Sequence, residues 1–80
     1  MQRTLYLHRD AVKNRYLLAG PKKDDLRDIL EGLKDNPAPE ELSEPVEGFP
    51  DRYRIRREGY QIIYLVEEEA IRVTVIHINS

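Results

Sequence analysis

Four arginines lie within six residues in the second half of the chain, and their spacing suits the binding of an anion. Successive side chains of a β-strand point to opposite faces. If this segment is extended, Arg52, Arg54 and Arg56 share one face, and Tyr53 and Ile55 share the other. A guanidinium stays charged and can donate two hydrogen bonds to phosphate oxygens. The pattern therefore predicts a cationic face for a phosphate group and an apolar face for a core.

An acidic segment precedes the arginines and leaves a second interpretation open. Between residues 35 and 47 the chain carries five acids and no base: Asp35, Glu40, Glu41, Glu44 and Glu47. These acids could lie against the arginines and neutralise them. Clusters of charge are most often solvated surfaces whose ion pairs contribute little. The arginines thus face either these carboxylates or a phosphate, and composition alone favours the carboxylates.

Length and composition exclude several classes of protein. The 80 residues make a single domain, 1–80, with a core of modest stability. The chain has no cysteine, and His8 and His77 lack the spacing of metal ligands, so neither a metal site nor a cofactor is expected. No apolar run approaches the ~20 residues that span a bilayer, and no signal peptide is evident, so a soluble cytoplasmic protein is expected. The net charge of −2 argues mildly against a generic nucleic-acid binder.

The first half of the chain predicts one strand followed by two helices. Residues 3–7 alternate like a short strand. Residues 10–19 are expected to form a helix, with Asp10 as a possible N-cap and Gly20 as its stop. Residues 21–35 predict a clearer helix, with Pro21 at its first position. Its apolar residues recur at the spacing of one buried stripe: Leu26, Ile29, Leu30 and Leu33.

The second half predicts a proline-rich loop over residues 37–51 and then three strands. A tight turn at Glu58–Gly59 joins the arginine segment to a strand over residues 60–67. The last strand covers residues 71–78, and alternation places His77 on one face with Val73 and Val75. The order β-α-α-β-β-β predicts an α+β fold. In it the first strand lies at one edge of an antiparallel sheet, and the helical hairpin packs on one face.

These residues resemble the RelE/ParE toxins of bacterial and archaeal toxin–antitoxin pairs. The resemblance covers nearly the whole chain and is strongest in the runs Gly48–Arg56 and Gly59–Tyr64. It implies a toxin of a type II pair, silenced by a cognate antitoxin whose acidic and apolar segment covers the concave sheet face and the open edge. RelE-type members cleave mRNA in the ribosomal A site. ParE-type members poison DNA gyrase and lack the residues of RelE-type cleavage.

The resemblance also implies site residues. Arg54 and Arg56 match two basic residues of the RelE pattern and would stabilise charge on a phosphorane. Gln61 stands where RelE-type toxins usually carry an arginine, and it can position a phosphate without neutralising it. From their own side-chain chemistry, and not from the family pattern, Arg52, Arg57 and His77 are candidates for contacts to RNA. For each of these three, a surface or structural role remains open.

Two functions therefore remain open from the sequence, and with them the question of whether the protein is an enzyme. RelE-type toxins usually carry an arginine just past the last strand and a tyrosine in a tail, whereas this chain ends at Asn79-Ser80. One function is that of an mRNA interferase, a ribosome-dependent endoribonuclease that binds mRNA and inhibits translation. The alternative is a binding module without nuclease activity. Such a module would be a ParE-like gyrase poison or a degenerate toxin that binds an antitoxin. The sequence does not fix the oligomeric state.

Overall fold

A computed structural model describes residues 2–15 and 20–79 and confirms the predicted α+β fold. Within these residues the elements are β1 (Thr4–Leu7), α1 (Arg9–Arg15), α2 (Pro21–Leu33), β2 (Ser43–Val46), β3 (Phe49–Arg57), β4 (Tyr60–Glu67) and β5 (Arg72–Asn79). The predicted end of the first helix, residues 16–19, lies outside the described part of the chain. None of the described helices is long and apolar enough to cross a membrane.

The strands form one sheet in the order β1-β5-β4-β3-β2. As predicted, the first strand lies at an edge, and the pairs among β2, β3, β4 and β5 are antiparallel. The antiparallel pairing expected of the sheet does not extend to β1, which pairs in parallel with β5. The prediction of a continuous loop over residues 37–51 is wrong, because β2 forms the opposite edge. Pro45 is tolerated there because an edge strand has a side on which no N–H donor is needed. Gly48, with φ 86°, makes the turn into β3.

The beginning of α1 also differs from the prediction. The helix begins at Arg9, so Asp10 lies in its first turn and is not its N-cap. The backbone N–H of Asp10 instead donates to Nδ1 of His8 at 3.3 Å. An imidazole nitrogen thus satisfies one of the free donors that every helix start presents. Asp10 still favours the helix, since a negative charge is stabilising in the first turn.

The predicted apolar stripe of α2 forms the centre of the core. Leu26, Ile29, Leu30 and Leu33 are all buried, as predicted. They share one cluster with Ala11 of α1 and with the apolar residues of the sheet: Ile55, Tyr60, Ile62, Tyr64, Val66, Val73, Val75 and Ile78. The helix itself ends at Leu33 and continues as a turn in which the N–H of Asp35 donates to the carbonyl of Gly32. The two helices therefore cover one face of the sheet.

A register shift in β5 overturns the predicted placement of His77. Tyr64 pairs with Val75, whereas its neighbour Ile63 pairs with His77, so Ile76 is an extra residue on β5. Such a bulge changes which side chains face the core beyond it. Ile78 is fully buried beyond the bulge, and His77 lies on the face opposite the core. The prediction that His77 shares a face with Val75 is therefore wrong.

Tyr64 joins the sheet to the segment that follows α2. Its ring is fully buried and stacks on Tyr53, with 5.8 Å between the ring centroids. Its hydroxyl donates to the carbonyl of Pro37 at 2.6 Å. Burial raises the pKa of Tyr64 to about 12. A neutral phenol is thus built into the core and anchors the chain on its way to β2.

We expect Tyr64→Phe to lower the free energy of unfolding by about 1–2 kcal/mol, because it leaves the Pro37 carbonyl without its donor. The folded pKa of Tyr64 lies above its unfolded value near 10, so the wild type loses stability as pH rises from about 10 towards 12. The variant should lose less over this range. Tyr60, whose pKa is also raised, retains its own part of the loss. Urea unfolding between pH 7 and pH 11 measures both effects. An equal alkaline loss in both proteins would contradict the assignment.

Two glycines offer a matched pair of substitutions. Gly59 has φ 89°, a backbone conformation that L side chains rarely adopt, so Gly59→Ala should destabilise the protein by about 1–2 kcal/mol. Gly32 lies in α2 with open space around its Cα, so Gly32→Ala should stabilise by about 0.5 kcal/mol. Melting temperatures check the two signs. The turn assignment fails if Gly59→Ala is neutral.

Candidate anion-binding face

The sheet face opposite α2 carries the residues that the sequence singles out, with the exception of Arg57. In β3, Ile55 is fully buried on the helix side, so its neighbours Arg54 and Arg56 point the other way. We call this side the arginine face. It comprises Glu44 of β2, Arg52, Arg54 and Arg56 of β3, Gln61, Ile63, Leu65 and Glu67 of β4, and Arg72, Thr74, His77 and Asn79 of β5.

Strand register places the candidate residues in two adjacent rows across the sheet. Arg56 lies opposite Gln61, and Gln61 lies opposite Asn79. In the next row Arg54 and His77 flank Ile63, one on each side. Directly opposed residues of antiparallel strands have Cα atoms about 4.5–5.5 Å apart, so each row is compact. Residues from three strands therefore meet on one surface.

Sequence reasoning missed Asn79 and gave the wrong reason for considering His77. A shallow depression of about 250 Å³ lies at the end of the three strands, and its lining consists of Arg56, Arg57, Tyr60, Gln61 and Asn79. The pairing of β4 with β5 is the signal that identifies Asn79, and it depends on the bulge after Val75. Without the bulge, His77 would point into the core.

Arg54 and Arg56 converge on a single carboxylate oxygen. Nη1 of Arg54 lies 3.6 Å from Oε1 of Glu44, and Nε of Arg56 lies 3.3 Å from the same atom. Register explains the contact, because Glu44 of β2 is the residue opposite Arg54. One acid of the acidic segment thus stands where the two guanidiniums meet, as the neutralising interpretation expected. The spacing of the arginines also brings their charges to one point.

This cluster is exposed to solvent. The side chains of Glu44 and Arg56 are 53% and 67% accessible, and that of Arg54 is 28% accessible. Exposed ion pairs are typically worth 0–1 kcal/mol, because water screens the attraction and the side chains lose freedom. The Glu44 contacts therefore stabilise the fold little and can be broken at small cost.

Arg52 adds a third guanidinium at the other end of the arginine face. Its Cζ lies 4.3 Å from the centroid of the exposed Phe49 ring, a cation–π contact that holds the side chain in place. Among the described residues, the buried Nε atoms of Arg52 and Arg54 have no hydrogen-bond partner. Protein contacts thus use the hydrogen-bonding capacity of these two guanidiniums only in part.

Arg57 does not join the arginine face. It lies on the helix side, where its Nε and Nη2 each donate to Asp25 of α2 at 3.0 Å. The hydroxyl of Tyr60 donates to the same carboxylate at 2.5 Å. The hydrogen bond from Arg57, followed by that from Tyr60, holds the pKa of Asp25 below its ordinary value. The side chain of Arg57 thus ties α2 to the β3–β4 hairpin.

At the end of the arginine face furthest from Arg56, the charged side chains pair with one another. Glu67 accepts hydrogen bonds from Arg72 and from Thr74, and these bonds lower the pKa of Glu67. Arg72 also lies over the ring of Tyr6, with its Cζ 5.8 Å from the ring centroid. In the described part of the chain, no group of three or more His, Asp or Glu residues could hold a metal ion. The chemistry of this face therefore concentrates around Arg54 and Arg56.

Comparison with known families gives a match over almost the entire chain. A family model described as the ParE toxin of the type II toxin–antitoxin system parDE matches residues 6–80. No curated protein gives a significant match.

Solved structures of RelE toxins share the fold. The isolated E. coli RelE toxin in its P21 crystal form has a TM-score of 0.85 at 26% identity, over 98% of this chain and 83% of that one. The toxin of the intact E. coli RelBE toxin–antitoxin complex has a TM-score of 0.83 at 28% identity, over 98% and 95%. The archaeal RelE–RelB complex from Pyrococcus horikoshii OT3 has a TM-score of 0.86 at 23% identity, over 99% and 94%. At this last identity the likeness concerns the fold alone.

Adjacent arginines provide a test of the geometry. Arg57→Ala should lower the free energy of unfolding by about 1 kcal/mol, the worth of charged hydrogen bonds after solvent screening. Arg56→Ala should cost less than about 0.5 kcal/mol, because its ion pair is exposed. The Asp25 contribution is present at neutral pH and is lost as pH falls below the ordinary pKa of 3.8 through the lowered folded value.

Denaturant unfolding at pH 7 and pH 3 measures these stabilities, and carboxyl NMR titration follows Asp25. The pKa of Asp25 should rise in Arg57→Ala and stay low in Arg56→Ala. The stability difference between wild type and Arg57→Ala should shrink at pH 3. Equal effects of the two substitutions would refute the separation of roles.

Proposed function

Because the chain belongs to the ParE toxin family of type II toxin–antitoxin systems, we propose that it inhibits translation by ribosome-dependent cleavage of mRNA. The convergence of Arg54 and Arg56 on one exposed point carries the proposal. On the same face, Gln61 lies beside Arg56 on β4, and His77 lies beyond Ile63 on β5. The proposed setting is the cytoplasm, with mRNA in the ribosome as the substrate.

The chemistry that suits this face is transfer of a phosphoryl group within RNA. A ribose 2′-oxygen attacks the adjacent phosphorus, and the bond from phosphorus to the 5′-oxygen breaks, leaving a 2′,3′-cyclic phosphate. The 2′-hydroxyl loses a proton, and the departing 5′-oxygen gains one. Negative charge accumulates on the phosphorane between these events. In this proposal Arg54 and Arg56 stabilise that charge through bidentate hydrogen bonds.

The two proton transfers need other groups, because an arginine stays protonated and makes a poor base. His77 carries an imidazole, which can both accept and donate a proton, and it lies in the row of Arg54. Gln61 and Asn79, in the row of Arg56, supply amide groups that can orient the ribose and phosphate. Gln61 adds no charge, so this face stabilises a phosphorane less than a face with a third guanidinium there would.

A cognate antitoxin is the proposed regulator. One of the similar E. coli structures is the intact RelBE toxin–antitoxin complex. An antitoxin segment with acidic and apolar side chains would suit the arginine face, because it neutralises the guanidiniums and covers the exposed Phe49. The toxin would then be released for RNA only when the antitoxin is removed.

Inhibition of DNA gyrase is the second candidate, and Gln61 favours it. The amide replaces a charge that RNA cleavage would use, and the matching family model is that of ParE. In this case the arginine face would serve as a binding surface without chemistry. A degenerate toxin that only binds its antitoxin is the same case without a gyrase target.

We expect the double variant Arg54→Ala/Arg56→Ala to abolish arrest of translation. Each lost donor in a charge-stabilising site costs on the order of 100-fold or more in rate. A ribosome-containing translation reaction with purified protein measures peptide synthesis, and primer extension on the message locates cleavage. Cleavage in the ribosome that survives the double substitution would refute the assigned site.

Arg27→Ala is the matched control, because Arg27 is an exposed cation of α2 whose ion pairs are with Asp24 and Asp28 of the same helix. It should leave translation arrest unchanged. A gyrase supercoiling assay on the same preparations separates the second candidate. Inhibition of supercoiling without any cleavage of mRNA would overturn the nuclease and support the gyrase function.

A further inference from the structure

We propose that Glu44 is an internal competitor for the phosphate that binds Arg54 and Arg56. In this arrangement the carboxylate occupies the meeting point of the two guanidiniums, and an incoming phosphate binds by displacing it. The inference rests on the proposed role of the two arginines as phosphate ligands. It adds a regulatory contact to that site.

Geometry makes the two anions mutually exclusive. Both arginines approach the same atom, Oε1 of Glu44, at 3.6 Å and 3.3 Å. A phosphate oxygen bound by both guanidiniums must lie at nearly the same point, because carboxylate and phosphate oxygens accept hydrogen bonds from arginine in similar geometries. One oxygen has to leave before the other can enter.

The Glu44 contact is loose compared with the ion pair one residue further along the strand. Arg57 makes two well-formed hydrogen bonds to Asp25 at 3.0 Å, with a third from Tyr60. Arg54 and Arg56 approach Glu44 as ion pairs only, and no hydrogen bond between them occurs among the described residues. The Glu44 carboxylate is therefore held by electrostatic attraction. When its side chain rotates away, water can take its place beside the guanidiniums.

The position of Glu44 permits that movement. It lies on β2, the edge strand of the sheet, next to Pro45 and the register shift between Pro45 and Val46. Its side chain is about half exposed, so it can turn into solvent without passing through packed neighbours. Displacement needs only a side-chain rotation, and the backbone of β2 can remain in place.

An internal carboxylate also offsets the repulsion between the two guanidiniums. Without it, two guanidiniums that point at one place repel each other. With it, they stay converged and the site as a whole carries a single net positive charge. The affinity for a free phosphate is then lower than two unopposed arginines would give, which limits capture of RNA away from the target.

Glu44→Gln tests the inference with a probe that cannot be cleaved. The probe is a fluorescent hexamer of 2′-O-methyluridine, whose binding is measured by anisotropy at fixed salt. Removing a competitor worth two exposed ion pairs should tighten binding about three- to tenfold.

Two further variants separate position from net charge. Glu47→Gln removes one charge from an exposed acid on the adjoining turn and should tighten binding less than twofold. Glu44→Asp keeps the charge but withdraws the carboxylate by one methylene, so it should bind more tightly than the wild type. Equal effects of Glu44→Gln and Glu47→Gln on binding would overturn the inference, because net charge alone would then explain the tighter binding.

Titration with inorganic phosphate distinguishes a failure of this inference from a failure of the proposed function. The Nε–Hε NMR signals of Arg54 and Arg56 report the anion directly. If phosphate shifts both signals, and binds Glu44→Gln more tightly than the wild type, the competing role of Glu44 is supported even where no mRNA is cleaved. If the wild type cleaves mRNA but both proteins bind phosphate with equal affinity, the proposed nuclease function is supported and the competing role of Glu44 is refuted. Melting temperatures confirm that each variant is folded.

Discussion

Burial of one face of the sheet under α2 is the constraint on which the rest of this molecule depends. Ile55 and Ile62 are fully buried against the leucine stripe of α2. Because side chains alternate along a strand, this burial obliges the neighbours of Ile55, Arg54 and Arg56, to lie on the opposite face. The hydrophobic core and the cationic surface are thus two consequences of one pattern. A shift of one residue in the β3–β4 register would bury guanidiniums and expose the core.

The same alternation gives two adjacent arginines different roles. Arg57 points to the helix side and is fixed by hydrogen bonds to Asp25, whereas Arg56 points to solvent and makes an ion pair with Glu44. An arginine held by two good hydrogen bonds has few N–H donors left for a ligand. An arginine held by a loose ion pair keeps most of its donors available. Composition cannot distinguish the two, because both belong to one short run of arginines. The role of each arginine is determined by the face of the strand to which its side chain points.

Periodicity in the sequence was enough to predict α2, the β3–β4 hairpin and the two faces of β3. Prediction from periodicity failed where a single residue changes the regular pattern of a strand. Pro45 reads as a loop residue, and the edge strand that tolerates it could be identified only from its pairing with β3. The bulge at Ile76 has no mark in the sequence, so the facing of His77 came out wrong. The partner of Arg54 and Arg56 was predicted only as an acidic segment, since register selects Glu44 from its neighbours.

The charge of the whole protein bears on how such a site could find its substrate. The chain has a net charge of −2, and Glu44 cancels half of the positive charge at the point where Arg54 and Arg56 meet. At physiological salt the field of the remaining charge is screened within about 8 Å. Long-range attraction therefore cannot concentrate RNA on this face as it does for basic nucleic-acid binders. Under the proposed function, the ribosome supplies what the field lacks, because it holds the message within contact distance of two converged guanidiniums.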